Sequence, residues 1–144
     1  MESNILREDM AMLYDVIGKP LCYAIKSPDI DLFDLGFGLD EESWIYALHA
    51  TCPIKVIRRN GSRQVECYFG DTTSGVFASG IHQVIGVPVK RVALSTKNDL
   101  WLDFGDWWVV AITIENGEES WRFIDREDID KQVIASNIWI EPPR

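Results

Sequence analysis

Residues 100–124 read LWLDFGDWWVVAITIENGEESWRFI, and the fold turns on how that stretch is taken. Leu100, Leu102 and Phe104 alternate with Trp101 and Asp103, which is the period of a strand with one buried face. Gly105-Asp106 punctuates, and Trp107 to Ile114 is then a β-branched and aromatic run of the kind that strands favour. Asn116-Gly117 offers the two positive-φ residues of a type I′ hairpin turn, and Trp121 and Phe123 flank Arg122 on the return. The reading is three consecutive antiparallel strands, a meander, holding four of the six tryptophans and hence much of the buried area. Adjacent residues of a strand point to opposite faces, so Trp107 and Trp108 must diverge; both are expected in core layers.

Outward from this stretch, the N-terminal side opens with a helix over Asn4 to Val16. Ser3 or Asn4 caps it, Glu8 and Asp9 sit in its early turns, and Ile5, Leu6, Met10, Leu13, Val16 and Ile17 trace one apolar face before Gly18 and Pro20 end it. Leu21 to Ile25 is a short strand with Leu21, Tyr23 and Ile25 facing one way. Leu32 to Phe37 is another, closed by Gly36 and Gly38, and Trp44 to Thr51 a largely buried one after the polar turn Asp40 to Ser43. Ile54 to Arg58 begins a hairpin through Asn60-Gly61 that returns over Gln64 to Phe69. Val76 to Ile85 accommodates a short helix around Ile81 to Val84, and Val89 to Leu94 is a strand. Past the meander, Arg126 to Ala135 reads as weakly helical, with Ile129, Val133 and Ile134 on one side, and Asn137 to Glu141 as a last strand. The expected fold is a single α+β domain over 1–144, mainly antiparallel β-sheet in meanders and hairpins, with the N-terminal α-helix packed on it. One faint echo, Phe33-Asp34-Leu35-Gly36 before Trp44 against Leu102-Asp103-Phe104-Gly105 before Trp107, favours two similar β layers.

The formal charge of −9 is unevenly placed. Ser27 to Glu42 carries Asp29, Asp31, Asp34, Asp40, Glu41 and Glu42 and no base; Asn98 to Trp121 carries Asp99, Asp103, Asp106, Glu115, Glu118 and Glu119 and no base. Lys55, Arg58, Arg59 and Arg63 form the one basic segment. Such a surface repels phosphates, which disfavours nucleic acid, and attracts a basic partner if the two windows share a face. Apolar runs fall well short of the ~20 residues of a membrane span, and MESNILREDM lacks the basic and apolar regions of a secretory leader, so a cytoplasmic location is expected.

Chemistry is hard to find in these residues. Cys22, Cys52 and Cys67 are an odd count at wide spacings and read as buried thiols. His49 and His82 are the only histidines; His49 and Cys52 lie three apart, which on a strand puts them on opposite faces. No metal-loop, zinc-protease or phosphate-loop pattern occurs. The expectation is no enzyme, no catalytic residue, no metal and no cofactor. The candidate partner-binding residues are Asp40, Glu41, Glu42, Asp103, Asp106, Trp107, Glu115, Glu118 and Glu119, a Trp among carboxylates being the composition of a binding hot spot.

Four short segments carry a resemblance: Ile17-Gly18-Lys19-Pro20-Leu21; Leu35-Gly36-Phe37-Gly38; Tyr46-Ala47-Leu48-His49 with Cys52-Pro53; and Gly117-Glu118-Glu119-Ser120-Trp121-Arg122-Phe123. In these the chain resembles a family of small uncharacterised bacterial proteins, from which it departs at Ile54, where members carry a basic or aromatic residue, and onward to Val89. The resemblance implies an immunity partner of a secreted polymorphic toxin. The function expected is therefore occlusion of a cognate basic toxin domain by an acidic face, the alternative being a small-molecule or peptide-binding module built on the aromatic hairpin.

Overall fold

The computed structural model describes residues 7–26, 32–58, 81, 83–114 and 119–136. Its elements are α1 (Arg7–Tyr14), β1 (Leu21–Lys26), β2 (Phe33–Gly38), β3 (Trp44–Ala50), β4 (Ile54–Arg58), β5 (Arg91–Leu94), β6 (Leu100–Asp103), β7 (Trp107–Ala111), β8 (Glu119–Asp125) and β9 (Gln132–Ser136). They form two sheets, a five-stranded one in the order β1-β2-β3-β8-β9 and a four-stranded one in the order β4-β7-β6-β5, antiparallel throughout. The mainly antiparallel sheet is thus present, with α1 the one named helix among the described residues. No helix among the described residues is long and apolar enough to cross a membrane.

Alternation decides which face of each strand is buried. Phe33, Leu35 and Phe37 of β2, Tyr46, Leu48 and Ala50 of β3, Trp121 and Phe123 of β8 point inward to meet Leu100 and Leu102 of β6, Val109 and Ala111 of β7, Ile54 and Val56 of β4 in one core. Met12, Leu13 and Val16 enter the same core. The helix touches β9 and β5, the outermost strands of the two sheets, and so spans between sheet edges instead of lying along a face.

Further sequence expectations change: a bulge between Leu21 and Tyr23 turns Leu21 inward while Ile25 faces out, and Cys22 is half-buried. The meander of residues 100–124 stops after two strands: β6 and β7 pair, but β8 leaves for the other sheet and lies between β3 and β9. The Asn116-Gly117 turn lies outside the described residues, as do the Gln64 to Phe69 and Asn137 to Glu141 strands and His82. The segment 126–135, read as weakly helical, contains β9; Val133 and Ala135 point to the core and Ile134 to solvent, a period of two, whereas the spacing of Ile129, Val133 and Ile134 imitates a helical face. Trp107 packs against the core as expected, whereas Trp108 stands on the outer face, edge-on to Trp101 at 5.6 Å between ring centroids.

The two sheets are built alike, by an internal repeat. Val16-Ile17-Gly18-Lys19-Pro20 and Val84-Ile85-Gly86-Val87-Pro88 are two copies of one pattern, Val-Ile-Gly-x-Pro. Each comes after helical residues, and each has its glycine at positive φ, +89° for Gly18 and +86° for Gly86. The copies bond reciprocally: the Gly18 amide donates to Val89 and the Gly86 amide to Leu21, at 2.8 and 2.7 Å, while Leu21 donates to Val87 and Val89 to Lys19.

The strands downstream of the two copies match as well. β1-β2-β3 and β5-β6-β7 are both three-stranded meanders, and the fourth strand of each unit completes the other unit's sheet, β4 beside β7 and β8 beside β3. At the crossing the Thr51 amide donates to Ser120 and the Ile112 amide to Pro53, both at 2.9 Å, and Ala50 faces Trp121 as Ala111 faces Ile54. The chain is therefore a pseudo-twofold repeat with exchanged strands. The echo expected from sequence is real but its frame is two residues off, since register matches Phe33-Asp34-Leu35-Gly36-Phe37-Gly38 to Leu100-Trp101-Leu102-Asp103-Phe104-Gly105.

Candidate functional site

The described acids expected to contact a partner do not come together in one patch. Asp40, Glu41 and Glu42 are exposed in the β2–β3 turn, where Asp40 Oδ1 accepts from the Glu42 and Ser43 amides at 2.9 and 2.8 Å. Glu119 is exposed but starts β8, beyond Ala50, so it lies at the opposite end of β3, a strand roughly 20 Å long at ~3.4 Å per residue. It pairs there with Arg122. Asp106 is exposed in the β6–β7 turn of the other sheet.

Asp103 is a correction. It is 1% exposed, and its carboxylate accepts from Arg91 Nε at 2.7 Å and from the Gly105 amide at 2.8 Å, so it holds the β6–β7 turn and cannot meet a partner. Trp107 is half-buried, with the Arg58 guanidinium 5.9 Å from its ring. Glu115 and Glu118 lie outside the described residues. Asp99, another acid of the second window, accepts from the Thr113 amide and hydroxyl and is likewise structural.

What the fold does assemble beside Asp40–Glu42 is the β8–β9 loop. The Arg126 amide donates to the Ile45 carbonyl, its guanidinium to the carbonyls of Glu42 and Trp44 at 2.6 and 3.2 Å, and that guanidinium lies 5.0 Å from the Trp44 ring. One arginine thus ties the two loops together, and Asp125, Glu127, Asp128 and Asp130 join Asp40, Glu41 and Glu42 at one end of the five-stranded sheet. The α1–β1 link reaches the same end: burial, then the charges of Asp15, Asp125 and Glu127, push the Tyr46 hydroxyl above its ordinary pKa. Lys19 lies over the Tyr46 ring at 5.8 Å.

Two apolar side chains stand in the open within this acidic pole, Leu39 at 84% exposed and Ile129 at 64%. Asp125, Glu127, Asp128 and Asp130 escape the sequence reading because a helical period runs across them. The run Asp125-Arg126-Glu127-Asp128-Ile129-Asp130, four acids around an isoleucine, is the signal that could have found them.

A second polar group occupies the outer face of the same sheet. Asp34, on β2, faces His49, on β3, and Asp34 Oδ1 lies 3.3 Å from His49 Nε2 and accepts from the Tyr23 hydroxyl at 3.0 Å. The Tyr23 ring covers Gly36, so closely that a Cβ there would fall 1.8 Å from the ring. Beyond His49 in the same row, Arg122 bonds to Glu119 and Gln132. His49 thus faces outward while Cys52 is fully buried at the crossing between sheets, where burial raises its thiol to about 12. Comparison with protein-family models, with curated proteins and with solved structures finds no match.

Proposed function

We propose that this chain is a binding protein of the immunity type, which neutralises a basic toxin domain by seating its acidic pole over the toxin's active site, with no chemistry of its own. The observation that carries the reading is Leu39 and Ile129, open to solvent beside the two acid-rich loops that Arg126 locks together. Apolar anchors inside a charged rim are the composition of a protein interface, the anchors supplying desolvation and the rim steering encounter. A second reading, a peptide- or small-molecule-binding module, draws on Trp101 and Trp108, both on the outer face of the four-stranded sheet with Arg91 5.5 Å from the Trp108 ring.

On the first reading a basic toxin domain is encoded beside this gene, and association kinetics with it test that reading. Reversing Glu41 and Asp128 to Lys slows association about tenfold or more at low salt, since clustered charges raise on-rates by roughly 10 to 1,000-fold. Reversing Asp106 and Glu119 changes it far less. Equal effects from both pairs, or an association rate indifferent to salt, would refute the acidic pole as the contact.

A further inference from the structure

The internal repeat serves as a control for every position on the outer faces, because it shows what the same fold accepts at the corresponding place. Register sets Asp34 against Trp101, His49 against Val110 and Tyr23 against Arg91. Where the first unit opposes a carboxylate and an imidazole across β2 and β3, the second opposes Trp101 and Val110, an apolar pair. The architecture therefore closes without a polar pair at this position, so the fold does not require Asp34 and His49 there.

The geometry suggests what it is. One oxygen of Asp34 is committed, Oδ1 to the Tyr23 hydroxyl and His49 Nε2. Among the described residues no donor reaches Oδ2, and the side chain is 34% exposed. Burial first, then the charges of Asp34 and, more weakly, Glu41, hold the Tyr23 hydroxyl protonated far above its ordinary range, so it keeps donating and fixes the carboxylate's direction. Ile25, paired with Asp34, and Ile45 and Ile134, all between 38% and 45% exposed, stand on the same face.

We propose that Asp34 Oδ2 is a docking point for a guanidinium on the partner, held between the Tyr23 ring and His49 with the open isoleucines as an apolar rim. A lone carboxylate beside an imidazole is a poor cage for a divalent ion, and among the described residues no three His, Cys, Asp or Glu side chains gather to make a better one. A planar cation that forms charge-assisted hydrogen bonds and stacks on an aromatic ring fits both components. The second unit displays that chemistry internally, Arg91 salt-linked to Asp103 while lying over Trp108. This inference rests on the reading of the partner as basic and extends its contact from the acidic pole onto the sheet face.

The test uses the full chain, isotope-labelled for NMR, titrated with a nona-arginine peptide at low salt. Resonances of Gly36, His49 and the Tyr23 ring should move, and Asp34→Asn should weaken binding about tenfold, the cost of one charge-assisted hydrogen bond. If the peptide binds with shifts confined to residues 39–42 and 125–130, and Asp34→Asn binds as the wild type does, the docking point is refuted and the acidic pole stands. If the peptide binds nowhere, both fail. Mapping on the wild type keeps the inference open to refutation whether or not the variant folds.

Discussion

Pro20 and Pro88 face each other across an isolated antiparallel bridge, each the last residue of its own Val-Ile-Gly-x-Pro copy. Neither has an amide hydrogen to give, so the hydrogen bonds come from the flanking residues and run in both directions, Gly18 to Val89 and Gly86 to Leu21. A pseudo-twofold axis passes between the two prolines. Residues related by that axis should respond alike to substitution.

Gly18→Ala and Gly86→Ala should cost the same. Both glycines sit near +90° in φ, and an added Cβ meets nothing within 4 Å at either, leaving only the backbone penalty of about 1–2 kcal/mol. Denaturant unfolding of the two variants should agree within about 0.5 kcal/mol. Gly38→Ala should exceed both, because its Cβ would lie 2.7 Å from the Ser43 carbonyl oxygen and 2.9 Å from Trp44 Cα, atoms that cannot swing away. A large difference between Gly18 and Gly86 would show that the two units are not mechanically equivalent.

Gly36→Ala tests the polar cluster from beneath. The new methyl would occupy the space of the Tyr23 ring, a side chain that can rotate out, so the fold should survive and the Tyr23–Asp34 hydrogen bond should not. Ultraviolet titration of the tyrosines should then show one hydroxyl ionising at lower pH than in the wild type, as burial and the Asp34 charge relax their hold. A titration unchanged from wild type would mean that Tyr23 is held by something else.

Trp121→Phe should cost about 2–4 kcal/mol, combining lost volume in a fully buried site with loss of the indole donor to the Asn98 carbonyl at 2.8 Å. That bond joins β8 in one sheet to the β5–β6 turn of the other. A fall in the unfolding midpoint under unchanged cooperativity is the expected result.

Stability should decline on the alkaline side. The Cys52 thiol titrates near 9.0 in an unfolded chain and near 12 in the fold, so between those values the unfolded state sheds a proton that the native state keeps. The contribution is intact below about pH 9 and is lost as pH rises toward 12, at up to about 1.4 kcal/mol per pH unit. Cys52→Ala should flatten this slope; the Cys22 thiol, also raised by burial, and the raised hydroxyls of Tyr23 and Tyr46 leave a remainder. Equal slopes in wild type and variant would disprove the assignment to Cys52.

Local pattern made most strands legible. Leu100 and Leu102 announce their face because they alternate with the half-exposed Trp101, and the apolar Trp44 to Thr51 run announces a largely buried strand. Partner choice was another matter. Trp107–Ala111 followed by Glu119–Asp125 reads as two strands of a hairpin, and nothing in their composition says that β8 will pair with β3. The information lay in the repeat Val-Ile-Gly-x-Pro, which marks where the second unit begins and hence that β8 corresponds to β4. The same gap misplaced the site. Asp103 looked like its neighbours Asp99 and Asp106 in a count of charge, and only the position of Arg91 across the strand pair distinguishes a buried carboxylate from an exposed one.

Exchange of the fourth strands also sets a timetable for biosynthesis. β3 is complete once Ala50 has been made, yet its neighbour β8 begins to pair with it only at Trp121, which at ~5–20 residues per second leaves a wait of roughly 4–14 s. Through that interval one side of β3 offers unpaired amides and carbonyls along a mostly apolar strand, an open template for other nascent chains. Crowded expression should therefore favour intermolecular β-pairing through Trp44–Ala50, and slower initiation or lower temperature should raise the yield of monodisperse protein.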